Sequence, residues 1–149
     1  MRLKFPFAIL LFSFFMSSAQ HENGLVNWLD FEEAQEKYRE APKPLLIDFY
    51  TDWCGWCKHM MKTTYSNPNL AGYINQHFYA VKFNAETKDT IEYQGKIYKP
   101  YSPAPKTPHE LAVKFLGEKM SYPSTVFVTN DFNYNLLVQG YLEDKKLEP

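Results

Sequence analysis

The sequence predicts an α/β domain: a central mixed β-sheet flanked by helices, with a hairpin-like insertion before a late helix and a short C-terminal helix. Three observations predict it. Residues Leu45 to Tyr50, LLIDFY, form a nearly continuous apolar run of strand length, as expected of a strand covered on both faces in a parallel or mixed sheet. Segments with helical spacing alternate with strand-length segments along the chain, with no internal repeat or low-complexity tract. The 149 residues, 45% hydrophobic and 17% aromatic, suit one packed core. A net charge of -1 gives no electrostatic case for nucleic acid or an anionic membrane surface.

The N-terminus, MRLKFPFAILLFSFFMSSAQ, places Arg2 and Lys4 before an apolar run from Phe5 to Met16, followed by Ser17, Ser18 and Ala19. This is the three-part order of a secretory signal. The run is about a dozen residues, short of the roughly 20 that a membrane-crossing helix needs, and Pro6 and Ser13 interrupt it. Cleavage is expected after Ala19, leaving residues 20–149 as a domain exported to the periplasm or cell envelope with no membrane span. Without Arg2 and Lys4, 14 of the 16 basic residues stand against 17 acidic ones, a charge of -3. No cysteine lies near the site, so a lipid anchor is not expected.

The elements follow in order. Asp30 and Glu33 mark a helix entrance, Phe31, Ala34 and Tyr38 repeat at helical spacing, and Pro42 and Pro44 end the pattern. The strand 45–50 comes next. Asn67-Pro68 caps and starts a helix in which Leu70, Tyr73, Ile74 and His77 share a face. Tyr79 to Ala85 alternates as a strand. Within the insertion, about 86–106, Ile91 to Tyr98 predicts a hairpin turning at Gln94-Gly95, and Pro100, Pro103 and Pro105 keep the chain extended. Thr107-Pro108-His109-Glu110 reads as a capping box with proline in the first helical position, ahead of Leu111, Ala112, Phe115 and Leu116. Ser124 to Val128 and Asn135 to Gln139 predict a hairpin around the turn TNDFNY, and Leu142 to Pro149 leaves room for about two helical turns.

The only two cysteines, Cys54 and Cys57, lie together in DWCGWCKH. A structural disulfide acts mainly by closing a long loop, and this pair encloses two residues, so a purely structural purpose is hard to sustain. If a helix opens after the strand, Cys54 sits at its first turn and Cys57 lies three residues on, on the same face. The exposed N–H groups there stabilise a thiolate and lower the cysteine pKa from about 8.5 into a range of roughly 3.5 to 7.5. Cys54 is then the attacking thiolate and Cys57 the thiol that resolves the mixed disulfide. Two other readings stay open: half of a zinc site, for which His59, His77 and His109 are available, and an inert local disulfide.

Leu45 to Lys58, LLIDFYTDWCGWCK, closely resembles the strand, active-site loop and helix start of thioredoxin-like proteins, and the resemblance extends over about residues 25–142. The Gly-Trp pair between the cysteines is similar to that of exported bacterial members. The resemblance implies a thioredoxin fold, with the insertion preceding the third helix of the family's order, which opens at Thr107. It implies that Cys54 is the nucleophile, Cys57 the resolving thiol, and Asp48 a buried acid exchanging a proton with Cys57. It implies that Trp53 covers the site, and that Tyr122-Pro123 is a cis pair facing the cysteines whose backbone pairs with the substrate chain. Lys58 matches a family lysine, although a solvated charge is the simpler reading. Trp56 has no clear counterpart; it is expected to touch substrate, against the alternative of ordinary packing. The short end departs from the family, whose final helix covers one sheet face, so that face is expected to be covered otherwise or the sequence to be a fragment.

The expected activity is thiol-disulfide exchange with protein or peptide disulfides, with no metal or organic cofactor, in the direction of reduction or isomerisation. Electrons would pass to or from an envelope dithiol donor or disulfide acceptor. If strand 79–85 runs parallel to strand 45–50, the insertion emerges on the edge of the sheet that carries Cys54. Tyr93, Tyr98 and Tyr101 are then expected to shape the docking surface. The alternative class is a non-enzymatic binding or chaperone module whose cysteine pair senses redox state.

Overall fold

A computed structural model describes residues 25–129 and 135–146. The expected leader and its cleavage after Ala19 lie outside the described residues, as do residues 130–134 of the TNDFNY turn.

The chain forms, in order, β1 (Trp28–Leu29), α1 (Phe31–Glu40), β2 (Leu45–Tyr50), α2 (Gly55–Lys62), a 3-10 turn (Thr64–Ser66), α3 (Pro68–His77) and β3 (Tyr79–Asn84). There follow the hairpin β4 (Ile91–Tyr93) and β5 (Lys96–Tyr98), then α4 (Glu110–Leu116), β6 (Ser124–Val128), β7 (Asn135–Gln139) and a 3-10 turn (Asp144–Lys146). The five-stranded sheet has the order β1-β3-β2-β6-β7, in which β1 and β2 run parallel to β3, and β6 and β7 complete it antiparallel. It is the thioredoxin fold with a small second sheet.

Alternation along β2 sorts its side chains to two cores. Leu45, Ile47 and Phe49 join Phe31 and Ala34 of α1, Leu111, Ala112 and Phe115 of α4, and residues of the β4–β5 hairpin. Leu46 joins Met60 of α2, Leu70, Ala71 and Ile74 of α3, and Leu142. Asp48 falls on this second face, in a row with Lys82 of β3 and Thr125 of β6. Covered on both sides, β2 is the central strand its apolar run predicted.

The helix starts follow from local chemistry. The Asp30 carboxylate accepts from Glu33 N at 2.7 Å, and the Asn67 side chain accepts from Asn69 N and Leu70 N, with Pro68 opening α3. The β4–β5 turn sits where expected, with Gln94 and Gly95 both at positive φ, 52° and 73°.

Three expectations need correction. α4 begins at Glu110: its N-cap is His109, whose Nδ1 accepts from Leu111 N at 3.2 Å, while the Glu110 carboxylate accepts from Lys99 N. Thr107 and Pro108 therefore stand outside the helix, because Tyr101 N takes the Pro108 carbonyl and Pro100 bridges to His109. Tyr93 and Tyr98 are buried; Tyr93 packs on Phe31 and Phe115, so only Tyr101 of the three tyrosines faces solvent. In place of two helical turns at the C-terminal end, the described residues form the 3-10 turn Asp144–Lys146. It is tied to the helical face by Asn67 Nδ2 on Asp144 Oδ2 at 2.8 Å and by Thr64 donating to the Leu142 carbonyl.

Candidate active site

Cys54 is the N-cap residue of α2 and Cys57 sits in its first turn, because β2 ends at Tyr50 and the turn Thr51–Trp53 delivers the chain to the helix at the carboxyl edge of the parallel strands. The sulfurs are joined in a disulfide, with Cα atoms 5.3 Å apart. Cys54 Sγ also accepts a hydrogen bond from Cys57 N at 3.1 Å. That N–H is one of the donors a helix start leaves without an intrahelical partner, and a sulfur there gains most when it carries charge. Both cysteines are 4% exposed in this oxidised form, so position in the helix, not exposure, distinguishes them.

Trp53 is exposed and held from three sides. Its Nε1 donates to Glu86 Oε1 at 3.0 Å, its ring meets Tyr122 edge-on at 6.1 Å, and Lys106 Nζ lies 6.0 Å from the ring. The insertion thus reaches the site through Glu86 and Lys106. The Tyr122–Pro123 peptide is cis, and Pro123 is buried at the start of β6. Trp56, between the two cysteines, packs on a different set of rings, with His59 at 5.7 Å and Tyr141 at 5.6 Å. It is 60% exposed, so it is a surface aromatic rather than core packing.

Asp48 is 1% exposed, and burial pushes its pKa from 3.8 up to about 7, against the opposing pull of Lys82 and a hydrogen bond from Tyr65. It is a buried carboxyl within β2, as the resemblance implied. A cleft of about 430 Å³ is lined by Asp48, Cys57, Lys58 and Lys82 together with Tyr50, Thr51, Asp52 and Met61. Asp48 and Cys57 therefore share a solvent-connected space, and Lys58 borders it.

The histidines that a zinc site would recruit are engaged apart from the cysteines and from one another. His59 packs on Trp56 and Tyr141, His77 on Tyr73 at 4.3 Å, and His109 caps α4. The fold thus brings Cys54, Cys57, Trp53 and Tyr122-Pro123 to one edge, sets Asp48 beneath Cys57, and sends Trp56 to a separate cluster. Glu86, Lys106, Lys82, Tyr65 and Thr125 were not singled out from the sequence. Only Lys82, an ionisable residue inside an alternating strand, carried a local signal there.

Comparison with known proteins agrees with this geometry. Residues 66 in number align at 35% identity with the thiol:disulfide interchange protein DsbD of Vibrio vulnificus, covering 40% of this chain and 11% of that protein. The chain spans about a tenth of the length of such curated relatives. A thioredoxin from Thermus thermophilus superposes with a TM-score of 0.58 at 15% identity, covering 81% of this chain and 80% of that one. A putative disulphide-isomerase from Bacteroides thetaiotaomicron gives 0.54 at 24% identity, covering 87% and 90%. These two likenesses establish the fold. Residues 13–147 match the family Thioredox_DsbH, described as "Protein of unknown function, DUF255". With its vicinal cysteine pair at the start of a helix, the chain belongs to this thioredoxin-like DsbH family.

Proposed function

We propose that the protein is an exported thiol-disulfide oxidoreductase that exchanges disulfides with protein or peptide substrates through Cys54 and Cys57, as a reductase or isomerase. The observation that carries the reading is the Cys54 sulfur capping α2 and accepting the Cys57 N–H. The interchange named for the aligned DsbD protein supports the same chemistry, and the basic–apolar–small order of residues 1–19 supports export.

In the reducing direction the Cys54 thiolate attacks one sulfur of a substrate disulfide. A Cys54–substrate disulfide forms and one substrate thiolate leaves. Asp48, ionised, takes the proton of the Cys57 thiol through their shared cleft, and the Cys57 thiolate attacks Cys54. The Cys54–Cys57 disulfide forms, the second substrate thiolate departs and is protonated, and two electrons have passed from protein to substrate. Trp53, with Tyr122 edge-on against its ring, and Pro123 serve as the substrate-facing rim, and Trp56 offers a second aromatic contact beside His59 and Tyr141. An envelope dithiol restores the reduced form.

The exposed rings of Trp53, Trp56 and Tyr101 favour a second reading, a client-binding module whose cysteine pair senses redox state. Insulin reduction driven by a small dithiol separates the two. Catalysed turnover that disappears in Cys54→Ser is expected; client binding retained in wild type and variant alike, with no turnover in either, would favour the module.

A further inference from the structure

Below the cysteine pair, in the layer between β2 and α2, three polar side chains join inside an otherwise apolar core. Tyr65 is 2% exposed and Thr125 is fully buried. The Tyr65 ring is wedged edge-on against Trp28 at 4.8 Å, and its hydroxyl lies 3.4 Å from Asp48 Oδ1 and 3.3 Å from Thr125 Oγ1. A phenylalanine would fill the same volume without bringing a hydroxyl that must find partners in a buried layer.

Proton counting fixes the direction of this chain. Tyr65 has one hydroxyl proton, and an ionised carboxylate only accepts. With Asp48 ionised, Tyr65 therefore donates to Asp48 and accepts from Thr125. With a proton on Asp48 Oδ1, the sense reverses: Asp48 donates to Tyr65, and Tyr65 donates to Thr125. The same three atoms satisfy both charge states by rotation of two hydroxyls, with no movement of the backbone. The other ionisable groups around Asp48 are Lys82 from β3, Cys57 and Lys58 from α2, Asp52 from the preceding turn and Tyr50 from β2, all of which line the cleft.

We propose that Tyr65 and Thr125 are positioning residues for thiol-disulfide exchange. Their reversible hydrogen-bond chain holds the Asp48 carboxyl in one orientation at the cleft it shares with Cys57, and keeps it satisfied before and after it takes the Cys57 proton. The inference deepens the exchange reading above and rests on it.

The test is a carboxyl-carbon NMR titration of Asp48 in the reduced full-length protein, paired with the pH profile of mixed-disulfide resolution. Tyr65→Phe removes a donor to the carboxylate, so the Asp48 midpoint is expected to rise by about one pH unit, a tenfold gain in proton affinity. Resolution is expected to shift to higher pH with it. Thr125→Val, which weakens the Tyr65 donor without touching Asp48, is expected to shift the midpoint less in the same direction, and Thr125→Ser to keep the wild-type midpoint. An unmoved midpoint in Tyr65→Phe overturns the proposal, and Thr125→Val decides in the same way if Tyr65→Phe does not fold. The titration is read with or without turnover. Absence of exchange by the wild-type protein would therefore sink the functional reading alone, whereas exchange with an unmoved midpoint would sink the hydrogen-bond chain alone.

Discussion

Cys57→Ser is expected to turn the protein from a catalyst into a covalent trap, with turnover at the uncatalysed background and one disulfide-containing substrate held per chain. Cys54 keeps its place as N-cap of α2 in this variant, and with it the helix-end donors that favour its thiolate. The first attack therefore proceeds. The second does not, because a serine hydroxyl is not ionised near neutral pH and cannot displace a disulfide sulfur. Cys54→Ser should form no adduct, since Cys57 sits inside the first turn of α2 and caps nothing. Non-reducing electrophoresis and intact mass of each variant, mixed with a disulfide-containing protein, check this. An adduct on Cys54→Ser and none on Cys57→Ser would reverse the assigned roles.

Asp48→Asn is expected to stabilise the oxidised fold strongly at neutral pH while slowing the resolving step. The stability effect follows from the buried carboxyl, whose pKa rises from 3.8 to about 7 on folding. Well below pH 3.8 the group is protonated in the folded and unfolded chains alike and contributes nothing to the pH dependence. Between 3.8 and about 7 the unfolded chain ionises while the folded one keeps its proton, so stability falls as pH rises. Above about 7 the full cost is present. At about 1.36 kcal/mol per pH unit, that cost is on the order of 4 kcal/mol. Asparagine fits the space, keeps Tyr65 as a partner, and removes the charge. Denaturant unfolding at about pH 3 and about pH 8 checks the expectation that the gain appears only at the higher pH. An equal gain at both would locate the effect in packing rather than in the carboxyl. The same Asp48 that weakens the fold is the base proposed above for the exchange step, a common conflict at functional sites.

Much of the fold was legible because strong local signals agreed with one another. The apolar run of β2, the Asn67-Pro68 start of α3 and the Gln94-Gly95 turn each state their conformation within a few residues. β1 escaped because Trp28–Leu29 is too short for a period to show, and it exists only by pairing with β3. The start of α4 was misread because Thr107-Pro108 carries a cap signature that a distant contact overrides: His109 N bonds to the Ala85 carbonyl at 2.8 Å, tying this stretch to the end of β3. Tyr93 and Tyr98 looked like surface aromatics of an insertion, but the hairpin folds onto α1 and α4 and buries them.

The site divides in the same way. Cys54, Cys57 and Trp53 stand in one short stretch, so a sequence holds them in plain view, whereas Tyr122-Pro123 is found only through the resemblance to thioredoxin-like proteins. Asp48 was legible as an acid in an apolar strand, but its setting was not. The row joining it to Lys82 and Thr125 depends on the registers of three strands, and Tyr65 lies in a 3-10 turn where no periodicity points inward. Glu86 belongs to the irregular segment, and only the folded chain shows that it holds the indole of Trp53.

The account depends most directly on the ionisation of one thiol. Titration of Cys54 in the reduced protein, followed by thiolate absorbance and by the pH dependence of its alkylation, measures it. A midpoint well below the ordinary value of about 8.5 is predicted, because the start of α2 stabilises the charged sulfur. A midpoint at or above that value would contradict it.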